Sequence, residues 1–98
     1  MEGMNCAFTG TIVGDPVLKT VKNGTLPLLT LTVVFAESNG TTITRVNRFG
    51  DQAKELSEVL ACGRMVQVEG IVSLNTWIKD GVPKSGFCVT ARSIRLVE

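Results

Sequence analysis

Trp77 is the only tryptophan in the sequence, and it stands just ahead of the turn signal Lys79-Asp80-Gly81. A large flat side chain near the tip of a hairpin is suited to stacking on another planar ring. Cations are the second chemical resource. Lys19, Lys22, Arg45, Arg48, Lys79, Lys84 and Arg92 fall on strand-like stretches or turns that can border a groove, where they would neutralise phosphates. Rings for bases and cations for phosphates are what it takes to hold a single nucleic-acid strand without reading its sequence, and stacking contributes about 1–3 kcal/mol per base. Phe49, which enters the helix, and Phe87, on the returning strand, are further stacking candidates. Phe49 suits packing at the end of a barrel equally well, and both Phe8 and Phe87 also suit a core. The competing role for Trp77 is a core or subunit-interface residue; its nearness to the turn favours stacking.

Composition narrows the alternatives. The 98 residues suffice for one domain with one small core, with 44% hydrophobic and 19% charged residues and no apolar run near the length of a membrane span. The N-terminus has neither the basic start nor the apolar stretch of a signal peptide, so a cytoplasmic location is expected. Ten Lys and Arg against nine Asp and Glu leave a formal charge of +1, so any basic surface must arise by segregation. Most acids do lie on the helix or beside turns. With few cations engaged, affinity should be moderate and salt dependence shallow. Cys6, Cys62 and Cys88 have neither disulfide nor zinc spacing and read as small buried hydrophobes. Without a histidine, a Gly-rich phosphate loop or paired carboxylates, no enzyme is expected; no cofactor, metal or small-molecule substrate is implied.

The elements that must position these side chains follow from pattern. Asn5 to Val13 alternates as a strand, with Gly10 marking a bulge or bend; Gly14-Asp15-Pro16 breaks it, and Val17 to Val21 is extended again. Lys22-Asn23-Gly24-Thr25 is a two-residue hairpin signal, leading to a second strand from Leu26 to Phe35. A polar loop over 37–41 precedes a third strand, Thr42 to Phe49, whose face Ile43, Arg45, Asn47 and Phe49 could lie against a ligand. Asp51 is placed to cap a helix over Gln52 to Cys62, with Ala53, Leu56, Val59 and Leu60 inward and Gly63 as the stop. Met65 to Leu96 is then a long hairpin giving strands four and five, with Val66, Val68, Val89, Ala91 and Ile94 as core positions. Three strands, one short helix between strands three and four, then two strands is the order of an all-β, five-stranded OB-fold barrel spanning 1–98.

Across nearly its whole length the chain resembles the DNA-binding domain of bacterial-type single-stranded DNA-binding proteins. The likeness is carried by Asn5 through Gly14-Asp15-Pro16, the Asn23-Gly24 turn, Phe49-Gly50 before the helix, and Gly63 to Val68-Glu69-Gly70 followed by Trp77. The resemblance implies an OB barrel, homo-oligomeric as a dimer or tetramer, that binds single-stranded DNA in replication, recombination or repair. It places Trp77 and Phe49 on base-stacking positions and Arg45 on a basic one.

The chain departs from that pattern in several places. Ile43 stands near a position where better-known members carry tryptophan, and the loop after strand two offers only Phe35 nearby. Ser73, Leu74, Asn75 and Thr76 occupy positions that are partly basic in the family. The sequence stops at Glu98, where cellular members continue into an acidic tail that recruits replication proteins. Either the sequence is a piece of a longer chain or it is a tail-less relative, with phage, plasmid and primosomal versions all compatible. The rival reading is a protein-interaction or structural OB module, with strand one, Cys6 to Ile12, as the expected intersubunit edge.

Overall fold

The computed structural model describes residues 3–38 and 40–97. Its elements run β1 (Met4–Val21), β2 (Leu26–Glu37), β3 (Gly40–Phe49), α1 (Gln52–Val59), β4 (Met65–Lys79) and β5 (Val82–Leu96). They form a five-stranded mixed sheet with one short helix between β3 and β4, which is OB topology. The strand order is β1-β2-β3-β5-β4, and β1 also pairs with β4. All pairs are antiparallel except β3 with β5, which meet in parallel over Arg45↔Cys88, Val46↔Val89 and Asn47↔Thr90.

Strand β1 serves two neighbours in turn. Met4 to Thr11 pairs with β4, and Thr11 to Val21 pairs with β2. Gly10 sits at this handover. A Cβ there would meet Val33 Cγ1 and the Val34 carbonyl oxygen at 2.6 Å, so its lack of a side chain serves close approach between strands. The bulge lies further on. Gly14-Asp15-Pro16 does not end the strand as expected; it is extra chain between Val13↔Thr32 and Val17↔Thr30, with Gly14 at φ +73°. A second irregularity falls between Glu69 and Gly70, where Arg92 is left without a partner on β4.

The core is built from inward positions of every strand: Ile12, Leu29, Leu31, Val33, Val46, Val66, Val68, Val89, Ala91 and Ile94, joined by Ala53 and Leu60 from the helix segment. The five core positions expected on β4 and β5 are all buried. Helix α1 packs against β1, β2 and β3.

The helix is shorter than its pattern suggested. It ends at Val59 because Leu60 turns extended, at φ −89° and ψ 138°, and buries its side chain while its N–H donates to the Leu56 carbonyl. Val59 consequently points outward, 51% exposed, and Cys62 lies in the turn beyond, exposed and not buried as expected; Cys6 is half-buried and Cys88 buried. Asp51 itself adopts helical angles, and its side chain makes no capping bond. Gly63 N–H donates to the Ile12 carbonyl, and Ile12 N–H to that of Arg64, tying the helix exit to β1.

The turns differ from one another. The β1–β2 connection uses four residues, Lys22 to Thr25, with positive φ at Lys22, Asn23 and Gly24, so it is longer than the two-residue turn expected. The β4–β5 connection is the two-residue Asp80-Gly81, both at positive φ, between the paired Lys79 and Val82. Both signs match a type I′ turn. Most of the loop expected over 37–41 is strand, since Ala36 pairs with Thr41 and Glu37 with Gly40; Asn39 lies outside the described residues. No helix among the described residues is long and apolar enough to cross a membrane.

Gly70 supplies a direct check of this geometry. A Cβ there would collide with the Thr90 carbonyl oxygen and approach the Ala91 Cα to 2.7 Å. Gly70→Ala should therefore cost about 1–3 kcal/mol in urea unfolding. An unchanged midpoint would contradict the close packing of β4 on β5 at this bulge.

Candidate nucleic-acid interface

Beyond Val72 on β4 and before Cys88 on β5 the two strands pair only with each other among the described residues, so Ser73 to Phe87 forms an arm. Directly paired residues share a face, and faces alternate along each strand. Trp77 pairs with Lys84, Asn75 with Gly86 and Ser73 with Cys88, placing these six on one face of the arm. Arg45 pairs with Cys88 and with Thr32, so the outward faces of β2 and β3 continue that same surface.

An open groove of about 640 Å³ runs across it, lined by Thr32, Ile43, Arg45, Asn75, Thr76, Trp77, Gly86, Phe87 and Cys88. The Trp77 ring lies over Gly86, since a Cβ on Gly86 would stand 3.3 Å from Trp77 Cη2. Glycine at this diagonal position gives the indole a flat seat. With 48% of its surface exposed, Trp77 retains a face for a planar ligand. Phe87 belongs by register to the opposite face, paired with Leu74, yet it is 68% exposed and borders the groove. It also lines an apolar depression of about 380 Å³ on the other side, together with Cys6, Phe8, Phe35 and Val72. Phe8 and Phe35 pack together there, centroids 4.9 Å apart.

Thr32 and Arg45 also line a second depression of about 430 Å³, formed with Asp15, Val17, Lys19, Leu28, Thr30 and Asn47. Its floor is polar. Thr30 Oγ1 donates to Asn47 Oδ1 at 3.0 Å, and Asn47 Nδ2 donates to Cys88 Sγ at 3.3 Å. The two depressions make one continuous surface, with an aromatic half on the arm and a hydrogen-bonding half over β1, β2 and β3.

The residues singled out from sequence are distributed unevenly over this surface. Trp77, Phe87 and Arg45 line the first depression and Lys19 the second. Lys84 shares the Trp77 face as its direct partner, Lys79 lies two residues further along that face, and Lys22 is exposed on the β1–β2 turn. Phe49 alternates with Arg45 and Asn47 but is half-buried opposite Leu28 and lines neither depression. Arg48 points to the other face of β3, where its guanidinium donates to the Phe49 carbonyl oxygen and to Gln52 Oε1 and so ties β3 to α1. Arg92 is also remote, donating to Asn5 Oδ1 at 3.2 Å beside a depression shared with the helix. Thr30, Thr32, Asn75, Cys88 and Asp15 were not among the candidate binding residues read from sequence. Ile43 and Asn47 were, through their alternation with Arg45. Among the described residues no group of three or more His, Cys, Asp or Glu is placed to hold a metal ion.

Neither a family model nor a curated protein matches this chain. Solved structures do. The SSB domain of a Synechococcus sp. protein superposes with TM-score 0.78 at 20% identity, covering 97% of this chain and 94% of that one. A small single-stranded DNA-binding protein from Streptomyces coelicolor gives 0.75 at 21% identity, with 99% and 96% covered. A mitochondrial single-stranded DNA-binding protein from S. cerevisiae gives 0.80 at 19% identity, with 100% and 98% covered. The chain thus has the OB fold of these three proteins over nearly its whole length.

Proposed function

We propose that this protein binds single-stranded DNA, largely without regard to sequence, in replication, recombination or repair. The observation that carries the reading is the groove in which a half-exposed Trp77, an exposed Phe87 and Arg45 border one surface. Bases stack on the two rings while Arg45, Lys19, Lys79 and Lys84 hold phosphates. The three proteins of the same fold are described as single-stranded DNA-binding or as an SSB domain, which supports the same ligand. Lys22 lies at a turn within reach of a longer strand path. Phe49, Arg48 and Arg92 are assigned to packing and to strand and helix anchoring.

We further propose that residues 1–98 are one domain, a closed five-stranded OB barrel, and that it self-associates. Closure is supported by the pairing of β1 with both β2 and β4 and of β3 with β5. Self-association is supported by Met4 to Gly10, which pairs on one edge only among the described residues; Thr11 and Ile12, by contrast, are already paired with β2. An edge of this kind is a template for a second strand. The rival reading, an OB module that contacts another protein, draws on the reverse face of the arm, where Leu74 and Ile78 are exposed.

Three measurements test these proposals. Trp77→Ala should weaken binding of a labelled oligothymidine about 5- to 100-fold in anisotropy titrations, with oligomer size unchanged. Loss of oligomerisation with binding intact would instead make Trp77 an interface residue. Arg45→Ala should lower the slope of log affinity against log salt by about 0.7, the contribution of one phosphate contact on a single strand. An identical slope would remove Arg45 from the phosphate path. Sedimentation velocity at micromolar concentration should give a dimer or tetramer, and a monomer throughout would end the edge-pairing proposal.

A further inference from the structure

The groove has two halves of different chemistry, and only one of them stacks. The half next to the arm carries Trp77 and Phe87, whereas the depression over β1, β2 and β3 has no aromatic lining residue. It offers hydrogen-bonding groups instead, Asp15 and Asn47 foremost. We propose that this polar half reads bases, favouring those with an exocyclic amino group, cytosine in particular, over thymine and uracil. The inference rests on the single-strand binding reading and adds a base preference to it.

Asp15 is brought there by the backbone. The extra chain of Gly14-Asp15-Pro16 stands opposite the single residue between Thr30 and Thr32, and the turn it makes carries Asp15 into the lining. The carboxylate makes no hydrogen bond or ion pair with any described residue. An ionised carboxylate only accepts hydrogen bonds, so a phosphate oxygen beside it is disfavoured and a base N–H is favoured. Cytosine presents an amino group at N4, and aspartate is a fitting acceptor for it. Thymine presents the O4 acceptor at the same place, setting lone pair against lone pair.

Asn47 completes the arrangement. One lone pair of its Oδ1 is taken by Thr30 and one hydrogen of its Nδ2 by Cys88, which holds the amide plane. One donor and one acceptor remain for a base edge. Lys19 and Arg45 line the same depression and are free to hold the backbone of that nucleotide.

The experiment compares oligocytidine and oligothymidine of equal length by quenching of Trp77 fluorescence at neutral pH and one salt concentration. Both are pyrimidine strands, so differences in ring size contribute little to the comparison. The wild-type chain should bind the cytidine strand about fivefold more tightly, at the low end of hydrogen-bonded base discrimination. Asp15→Asn, whose amide can donate to O4, should bring the ratio close to one while both strands still quench. Equal affinities in the wild type, or a preference that survives Asp15→Asn, would overturn the base-reading proposal alone. Absence of quenching by both strands would overturn it together with single-strand binding.

Discussion

Side chains alternate across a strand, so the register of β4 against β5 decides which face of the arm carries Trp77. A slip of one residue would turn the indole away from Arg45 and bring Leu74 and Ile78 to the groove. The slip is opposed at both ends of the pair. At the tip, Asp80-Gly81 closes a two-residue turn that admits only Lys79 opposite Val82. At the base, Val66, Val68, Val89, Ala91 and Ile94 are buried, and a shifted strand would exchange them for Gln67, Glu69, Arg92 and Arg95. The site on the arm is therefore held by a core several residues away and by a turn on its other side.

Charge is only partly sorted by element, since Asp15 lines the groove and Asp80 sits at the tip of the arm. Asp51, Glu55 and Glu58 lie on or beside α1, which packs against β1, β2 and β3. Arg45, Lys19, Lys79 and Lys84 lie along the grooved surface. Three of the remaining six cations are committed elsewhere: Arg48 to the β3–α1 junction, Arg92 to Asn5 and Arg95 to Gln67. A sheet face with few free cations gains little from long-range attraction and depends more on stacking and short-range hydrogen bonds.

The order of elements along the chain, the helix position, the Asp80-Gly81 turn and the inward residues of β4 and β5 could all be read from local pattern, because alternation and turn chemistry are local. That Ile43, Arg45 and Asn47 share one face of β3 followed from the same alternation. What was not legible depends on partners distant in sequence. Gly14-Asp15-Pro16 has the composition of a break, and only the pairing of Val13 and Val17 with β2 turns it into a bulge inside one long strand. The helix pattern ran to Cys62, but the burial of Leu60 beneath the sheet ends it at Val59. Arg48 and Arg92 had the right charge and element type. Their direction was set by Gln52 and Asn5, which no local rule connects to them.

The short seam between β3 and β5 runs through the groove. Strands β3 and β5 share only three parallel pairs, and two of the three β3 residues, Arg45 and Asn47, line the groove. A parallel contact this short gains little from hydrogen bonding alone. Val46 and Val89, paired at its middle, are both buried in the core, and Asn47 adds a bond to the Cys88 thiol on the outer side. Core packing beneath the seam thus fixes the spacing between the β3 row and the arm. Groove width is consequently a property of the whole sheet, and substitutions that loosen the seam from within should disturb the grooved surface before they unfold the chain.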